Sequence, residues 1–355
     1  MGASGLLDRG HFFLDKVGRT GYIIYIGGKM RKAIELSDSK RVLIIDALNM
    51  FLRSYTIIPS MNPKGMPNGG TVGFIKSLQK LCRDFRPHEV VVVWDGHGGS
   101  EKKRQKNKAY KQGRRPVRFN RRMIELSEED TYKNRRDQQL RVHEYLNEMP
   151  VVQLMHDYVE ADDVIAYVYK NKKYKNWNKI IVSSDKDFYQ LCGEPNTFIW
   201  RPIQKVLING KQIEMKFGIH PNNFALVRAI EGDKSDNLIG VPRIGMKTVA
   251  KYFPFLETEQ QYSCDEIFTH CFMTTDKKSV HKKLLEFKER VISNYDIMQL
   301  YEPNISFTGR KKIDNTIKDF NPLYSMSKVT QMLMEDGQGS LKLTDLWSVF
   351  RKNII

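Results

Sequence analysis

Carboxylate residues gather in a few short segments that otherwise share no pattern. Several of these segments follow an apolar run typical of a β-strand, so their acids fall where strands end. Two carboxylates about 4 Å apart repel by roughly 4 kcal/mol at an effective dielectric constant of ~20, so a cluster of them needs divalent cations. Oxygen ligands favour Mg²⁺, with Mn²⁺ as a substitute, over zinc. Two such ions suit hydrolysis at a phosphate. The nine candidate ligands are Asp46, Asp95, Glu160, Asp162, Asp163, Asp185, Asp187, Asp233 and Asp236.

The charge of the chain favours a polyanionic partner. It carries 58 basic against 41 acidic side chains, a formal net charge of +17. The most basic segment is 101–122, EKKRQKNKAYKQGRRPVRFNRR, in which Glu101 is the single acid. Such runs are often solvated helix faces or disordered tails. This one lies between two acidic segments, so we interpret it as an insertion above the acids, an arrangement that phosphodiester chemistry requires.

Several classes of protein are disfavoured by composition. No stretch approaches the ~20 apolar residues of a membrane span, and residues 1–30 lack the apolar core of a signal peptide. We expect a soluble monomer in the cytoplasm, that of the host if a phage encodes it, with no membrane partner. The cysteines lack the spacing of a zinc motif, so we expect reduced, buried thiols at Cys82, Cys192, Cys264 and Cys271.

The apolar pattern predicts an α/β fold with a central, mostly parallel sheet flanked by helices. In such sheets ligands bind beyond the carboxyl ends of the strands, where Asp46, Asp95 and Asp185 fall. Residues 160–170 predict a helix whose first turn carries three acids, able to face two neighbouring ions. The predicted strands are RVLIID, HEVVVVWD, PVVQLM, KIIVSS and TFIWRP.

Four regions are expected along the chain. Residues 1–38 are a glycine-rich extension, either flexible or added by an upstream start codon, since Met30 lies close to the first strong element. Residues 39–215 form the α/β core, with a basic arch at 97–130. A helix–three-turn–helix region at 216–300 and a helical tail at 301–355 follow. The tail contains LKLTDLWSVF, which either caps the core, as we favour, or docks a partner.

A glycine-bearing turn, Gly240 to Gly245, joins predicted helices at 222–231 and Met246–Phe253. A hairpin of this kind exposes backbone N–H groups that hold a phosphate without recognising sequence. An ordinary helix–turn–helix packing unit is the alternative. Residues 277–290 predict one basic amphipathic helix, which either follows a duplex or is simply solvated.

Taken in order, DALN, WDG, EADD, SSDKDF and GDKSDN followed by GVPRIGMKT resemble the 5′-nuclease (flap endonuclease) family, in particular its phage RNase H and 5′→3′ exonuclease branch. The resemblance extends from about Arg41 to Phe253. It implies a metal-dependent, structure-specific nuclease acting on 5′ flaps, nicked or 5′-recessed DNA, and RNA primers in RNA–DNA hybrids during replication or repair. A sliding clamp or single-strand-binding protein is a further expected partner.

The resemblance also implies a role for each metal ligand. One ion would be held by Asp95, Glu160, Asp162 and Asp163, with Asp46 acting through water. The second would be held by Asp185, Asp187, Asp233 and Asp236, with Asp162 as the bridge.

Residues that contact the nucleic acid follow from the same resemblance. Thr248 departs from it, because some phage members have a second basic residue there. The turn would also hold K⁺ through the carbonyls of Val241 and Ile244. The implied contacts are Arg53, Lys111 and Arg114 to the reacting phosphate, Tyr110 to an unpaired base, and Gly240, Gly245 and Lys247 to the duplex.

Other functions remain open on the sequence alone. A PIN-type ribonuclease shares the sheet and several acids but needs neither the basic arch nor the glycine turn. A catalytically silent junction-binding protein, or an architectural DNA-binding protein, would have no reason to keep all nine acids. Binding without cleavage in Mg²⁺ would favour either of these.

Overall fold

The computed structural model describes residues 14–17, 21–26, 29–113, 126–275 and 277–355. Arg114 lies outside these ranges, so its predicted phosphate contact stays a prediction. Three short antiparallel strands cross the predicted N-terminal extension: β1 (Leu14–Val17), β2 (Gly21–Ile26) and β3 (Lys29–Glu35).

The core begins slightly before the expected boundary at residue 39. Leu36 is fully buried. The Asn178 side-chain amide donates to the Ser37 carbonyl at 2.9 Å, which ties this segment to the central sheet.

A six-stranded sheet forms the centre of the protein, and five of its strands are parallel. This confirms the predicted mostly parallel sheet. The sixth strand, an antiparallel edge, was not predicted. The spatial order is β6-β5-β4-β7-β8-β9, and the strands are β4 (Arg41–Asp46), β5 (Glu89–Trp94), β6 (Val152–Met155), β7 (Asn178–Val182), β8 (Thr197–Arg201) and β9 (Val206–Ile208).

Both faces of the sheet are buried, which explains the continuous Val/Ile runs. Within β4, Val42 and Ile44 pack into one hydrophobic cluster, while Leu43 and Ile45 pack into another on the opposite face. Side chains of a strand alternate between faces, so a strand covered on both sides must be apolar throughout.

Helices cover the two faces and extend the fold beyond the sheet. In chain order they are α1 (Ala47–Ile57), α2 (Gly69–Phe85), α3 (Glu101–Lys106), α4 (Glu128–Asn147), α5 (Ala161–Tyr169), α6 (Gly210–Phe217), α7 (Phe224–Glu231), α8 (Met246–Tyr252), α9 (Cys264–Met273), α10 (Ser279–Glu286), α11 (Lys288–Met298), α12 (Phe307–Lys318), α13 (Met326–Glu335) and α14 (Thr344–Val349). A two-stranded ribbon, β10 (Gly232–Asp233) with β11 (Leu238–Ile239), lies between α7 and α8.

The predicted single helix over 277–290 is wrong. Two helices, α10 and α11, meet at Phe287, whose backbone leaves the helical region at φ −102° and ψ 24°. The Phe287 ring packs against the hydrophobic core. A straight helix would continue one amphipathic face, whereas the break turns α11 toward α7.

The C-terminal tail packs against the core, as favoured from its sequence. Leu346 and Phe350 are fully buried in the cluster that contains α2. All four cysteines are free thiols, and all but Cys264 are buried. Among the described helices, none combines the length and apolar character needed to cross a membrane.

Candidate metal centre and nucleic-acid interface

The carboxyl ends of β4, β5 and β7 open into one cavity of about 190 Å³, hereafter the acid cavity. The chain places β5 on one side of β4 and β7 on the other, so this is the switch point at which open α/β sheets bind ligands. Seven of the nine predicted ligands line the cavity: Asp46, Asp95, Glu160, Asp162, Asp185, Asp187 and Asp236.

Asp46 is held at the end of β4 by two hydrogen bonds. Its Oδ1 accepts the N–H of Asn49 at 3.1 Å, which caps α1, and its Oδ2 accepts the Ser183 hydroxyl at 2.9 Å. The Ser183 hydroxyl oxygen also accepts the N–H of Asp185 at 3.1 Å. Ser183 therefore fixes the carboxylates that follow β4 and β7 relative to each other.

The acids of α5 are positioned by the start of that helix. Asp95 accepts the Ala161 N–H at 2.9 Å, so a side chain from the end of β5 caps α5. Glu160 and Asp162 face the cavity. Asp163 does not line it, because its Oδ1 is turned away to accept the Asn304 N–H at 2.8 Å.

Arg228 organises the second group of acids. This α7 side chain is almost fully buried, and its Nε donates to Asp187 Oδ1 at 2.8 Å. Its Nη2 donates to Asp233, which consequently lies beside the acid cavity rather than in its lining. An arginine so placed holds two carboxylates in a fixed geometry.

Two lysines and a tyrosine of the basic segment enter the cavity. Lys103 Nζ lies 2.8 Å from Glu160 Oε2, 2.9 Å from Asp162 Oδ2 and 3.5 Å from Asp163 Oδ2. Lys111 pairs with the other oxygen of Glu160, and the Tyr110 hydroxyl donates to Glu160 Oε2 at 2.9 Å. The basic segment therefore supplies countercharges to the acids.

The pKa values of the carboxyl groups reflect the negative charge inside the acid cavity. Burial and the neighbouring Asp95 carboxylate raise the pKa of Asp46 to about 7. Burial and the Asp185 carboxylate raise the pKa of Asp187 to about 7 against the opposing effect of Arg228. For Glu160 the burial cost is outweighed by Lys103 and Lys111, which lower its pKa to about 2. The lysines neutralise one side of the cavity and leave excess negative charge on the other.

The donor set fits hard divalent cations. Seven carboxylates line one cavity, and burial raises the pKa of Asp95 and Asp185 as well. Oxygen-only sites of this charge suit Mg²⁺ or Mn²⁺. Within the described part of the chain, no group of three or more His, Cys, Asp or Glu side chains is arranged so that it could hold a metal ion without rearrangement. Ammonium groups lie between the acids instead, so a bound metal would compete with Lys103 and Lys111 for Glu160.

The structure does not bring Arg53 into the acid cavity. Arg53 lines a separate cleft of about 180 Å³ between α1, α2 and β8, together with Lys80 and Lys205. Arg53 lies on α1 two helical turns after Asp46, so its side chain projects beyond the carboxylates. Its predicted contact with the reacting phosphate would need substrate that reaches this cleft.

Tyr110 is also placed differently from the expected base-stacking position. The side chain is 2% exposed, because its hydroxyl is directed inward to Glu160. Lys111 Nζ lies 4.9 Å from the ring centroid. Stacking on an unpaired base would require the ring to leave this site.

The glycine turn is held by its neighbours. A Cβ on Gly240 would lie 2.0 Å from the Glu231 carbonyl oxygen, so the two backbone segments approach more closely than any side chain allows. Glu231 Oε1 accepts the Met246 N–H at 3.3 Å, beside Gly245. Lys247 is exposed on α8, directly after the turn.

The turn does not fit the expected potassium ion. The Val241 carbonyl already accepts the Ile244 N–H at 3.2 Å. The two carbonyls next to Val241 accept side-chain cations, Gly240 from Arg290 Nη1 at 3.3 Å and Pro242 from Lys283 Nζ at 3.2 Å. These fixed positive charges disfavour a further cation at the turn.

Sequence reasoning missed several residues of the site. Lys103 was hidden among the eleven cations of its segment, and no pattern marked it as the one that is buried. Arg228 carried a usable signal, because a lone arginine in the apolar helix FALVRAIE needs acidic partners. Ser183 precedes SDKD without any distinguishing feature.

The sequence matches a known protein family. Residues 41–218, half of the chain, match the family described as "5′-3′ exonuclease, N-terminal resolvase-like domain". The chain belongs to the 5′–3′ exonuclease family. The resemblance inferred from the motifs is thereby confirmed.

Relatives in this family differ in length. Flap endonuclease Xni from Shewanella sp. (strain MR-4) is 29% identical over 260 residues, covering 73% of this chain and 90% of Xni. DNA polymerase I from Deinococcus radiodurans is 29% identical over 287 residues, covering 79% of this chain. The chain spans only 28% of that polymerase's length.

Solved structures share the fold of this exonuclease-family chain. The bacteriophage T5 flap endonuclease, in a complex with DNA and metal ions, superposes with a TM-score of 0.58 at 18% identity, covering 84% of this chain and 100% of that one. The T5 5′-exonuclease with bound divalent zinc ions superposes equally well, at 16% identity over 84% of this chain and 99% of its own.

Replacing Lys103 by Met should separate its effect on stability from its effect on metal affinity. Without the ammonium group the buried acids are left unpaired, so the free energy of unfolding in EDTA should fall by about 3–5 kcal/mol. Affinity for Mg²⁺ should rise by about tenfold or more, since one positive charge leaves the site. Urea unfolding and isothermal titration calorimetry measure the two quantities.

Lys106→Met is the matched control for that variant. Lys106 lies on the same helix, its side chain is 49% exposed, and its ion pair with Asp296 is long, at 3.8 Å. Its replacement should change stability by no more than about 0.5 kcal/mol. An unchanged Mg²⁺ affinity in Lys103→Met would show that Lys103 does not compete with the metal.

Proposed function

We propose that this protein is a divalent-metal-dependent, structure-specific 5′ nuclease that hydrolyses phosphodiesters at 5′ ends or flaps of DNA duplexes. The observation that carries the proposal is the convergence of seven predicted carboxylates on one cavity at the switch point of the sheet. A cationic segment reaches into the same cavity. Family membership supports the same chemistry.

Mg²⁺, or Mn²⁺ in its place, would be held by the acid cavity and would supply an activated water and charge stabilisation at the phosphate. Two ligand groups follow from the contacts. Asp95, Glu160 and Asp162 lie around α5. Asp185 and Asp187 follow β7, with Asp236 across from them.

The residues of the chain itself have separate tasks. Lys111 pairs with Glu160, and a phosphate entering the cavity would compete for its ammonium group. Ser183 and Arg228 are positioning residues, because they fix Asp46 and Asp187 without facing the cavity themselves. Asp163 and Asp233 do not line the cavity; they lie beside it, where Asp163 pairs with Lys103 and Asp233 pairs with Arg228.

The substrate class extends, in our proposal, to nicked and 5′-recessed DNA and to RNA–DNA hybrids, as in primer removal. The surface that includes Lys247 and the glycine turn would hold the duplex. We propose action as a monomer in the cytoplasm, with a clamp or single-strand-binding protein as partner. Support for DNA comes from family membership and from the net charge of +17.

A cleavage time course on three end-labelled substrates tests the proposal. A 5′-flap junction, a nicked duplex and an RNA–DNA hybrid would each be incubated with Mg²⁺ and with EDTA. Cleavage should require Mg²⁺ and should fall by at least about 100-fold in Asp162→Asn, because that carboxylate faces both ligand groups. Binding of the junction should fall much less.

Asp319→Asn controls for the loss of a charge. Asp319 is exposed at the end of α12 and does not line the cavity, so its variant should cleave normally. Equal loss of binding and cleavage in Asp162→Asn would contradict a metal-bridging role. Tight junction binding without product in Mg²⁺ or Mn²⁺ would favour a silent binding protein. Cleavage of an added single-stranded RNA control, with none of the three duplex substrates cleaved, would favour a PIN-type ribonuclease.

Lys247→Ala should weaken duplex binding in a salt-dependent manner. Each phosphate contact contributes about 0.9 to the slope of log K against log salt, so the slope should fall by about that amount. Fluorescence anisotropy of a labelled duplex at several salt concentrations measures it. Lys175→Ala, an exposed lysine just before the amino end of β7, should leave the slope unchanged. Equal slopes for wild type and Lys247→Ala would remove Lys247 from the interface.

Exchange of K⁺ for Na⁺ at constant ionic strength should leave duplex binding unchanged. The reason is that Arg290 and Lys283 already occupy the turn carbonyls. Anisotropy titrations in the two salts provide the comparison. Markedly tighter binding in K⁺ would restore the potassium site that the family resemblance implies.

A further inference from the structure

Two cationic side chains bind carbonyl oxygens of the glycine turn. Arg290 Nη1 donates to the Gly240 carbonyl at 3.3 Å. Lys283 Nζ donates to the Pro242 carbonyl at 3.2 Å. The two acceptors are separated by a single residue, so two positive charges meet neighbouring backbone dipoles on one short segment.

The break between α10 and α11 brings these two cations to the turn. Lys283 lies in the last turn of α10 and Arg290 in the first turn of α11, on either side of Phe287. The Arg290 guanidinium also lies over the Phe287 ring, 4.7 Å from its centroid. Further along α11, the buried Asn294 amide donates to the Ile239 carbonyl at 3.0 Å. Side chains from both helices therefore fix the helix pair to the turn.

Neither cation is neutralised by a carboxylate in the part of the chain that the structure describes. Among those residues, no Asp or Glu forms an ion pair with Arg290 or Lys283. Both side chains are only partly buried. A carbonyl dipole offsets only part of a full positive charge. The turn therefore keeps excess positive charge next to the exposed Lys247 that follows it.

We propose that Arg290 and Lys283 replace a bound potassium ion and make the duplex contact of the glycine turn independent of monovalent cations. The proposal rests on the proposed function, in which the turn holds the duplex, and deepens it. Potassium ions bind backbone carbonyl oxygens in place of their hydration shell. Here side-chain N–H groups occupy those oxygens, and their fixed charge would attract a duplex phosphate.

Both are positioning residues, because they act on the duplex through the turn that they hold. Methionine has an unbranched side chain but neither charge nor donor, so the variant Lys283→Met/Arg290→Met leaves the Gly240 and Pro242 carbonyls without these partners. Polar groups that lose a partner are costly unless another one replaces it. The vacated carbonyls should therefore accept a potassium ion, which the side-chain cations exclude from the wild-type turn.

The test compares duplex binding in potassium chloride and in tetramethylammonium chloride, whose cation is too bulky to bind these carbonyls. Fluorescence anisotropy of a labelled duplex is measured at constant ionic strength in EDTA, so that no cleavage occurs. The wild type should bind equally in the two salts. Lys283→Met/Arg290→Met should bind about tenfold more weakly in tetramethylammonium. Potassium should restore its affinity by at least about threefold.

Matched variants separate this effect from a general loss of charge. Lys277→Met/Lys282→Met removes two exposed lysines near α10 that contact no turn carbonyl, so any loss of affinity should be equal in both salts. Lys283→Arg/Arg290→Lys keeps both charges and should remain independent of potassium. Arg290→Met alone should show a smaller potassium dependence, and it provides the test if the double Met variant does not fold.

Thermal unfolding without DNA provides a second measurement. A ligand that binds only the folded state raises the unfolding temperature. Potassium, compared with tetramethylammonium, should therefore raise the unfolding temperature of Lys283→Met/Arg290→Met and leave those of the wild type and of Lys277→Met/Lys282→Met unchanged.

The outcomes separate this proposal from the function on which it rests. Equal affinity of the double Met variant in the two salts, whether weakened or unchanged, would overturn the role of Arg290 and Lys283 alone. Tighter binding of the wild type in potassium would overturn it as well, because an ion would then bind the turn beside both cations. Failure of the wild type to bind the duplex in either salt would overturn both proposals.

Discussion

Electrostatic repulsion among buried carboxylates is the constraint on which the rest of this structure depends. Acids from β4, β5, α5 and the loop after β7 share one cavity, and each is costly to ionise beside the others. The protein relieves part of this cost internally. Lys103 and Lys111 neutralise the side containing Glu160, and Arg228 offsets part of the charge on the side containing Asp187. Metal ions can replace the ammonium groups beside the carboxylates, which would leave the ammonium groups free to bind phosphate.

The backbone of the basic segment around Lys111 contacts the loop before the glycine turn. The Lys111 N–H donates to the Asp236 carbonyl at 2.8 Å, and the Asn237 side chain donates to the Ala109 carbonyl at 3.0 Å. Asp236 itself lines the acid cavity. These contacts join the segment that carries Lys111 to the loop that leads to Gly240 and to the surface proposed to hold the duplex.

Sequence patterns predicted the sheet and most of the acids because both leave strong local signals. An apolar strand ending in an acid locates that acid at the carboxyl edge, as for Asp46 and Asp95. Helical periodicity predicted three acids in the first turn of a helix; the structure places Asp162 and Asp163 there and Glu160 at the N-cap of α5. Asp163 accepts a backbone N–H of a distant loop, which periodicity does not encode. For the same reason, the sequence did not show which side chains of the basic segment would contact the acids. Which cation of the basic segment becomes buried depends on where α3 packs, and the inward orientation of Tyr110 depends on the Glu160 side chain that it meets.

The most direct test of the central claim is a crystal structure of the protein with Mn²⁺, with metal positions taken from anomalous scattering. The account predicts manganese inside the acid cavity, bound by oxygens from both the α5 group and the group after β7, with Lys103 and Lys111 moved away from Glu160. Manganese bound only outside the cavity, with both lysines still paired to Glu160, would contradict it.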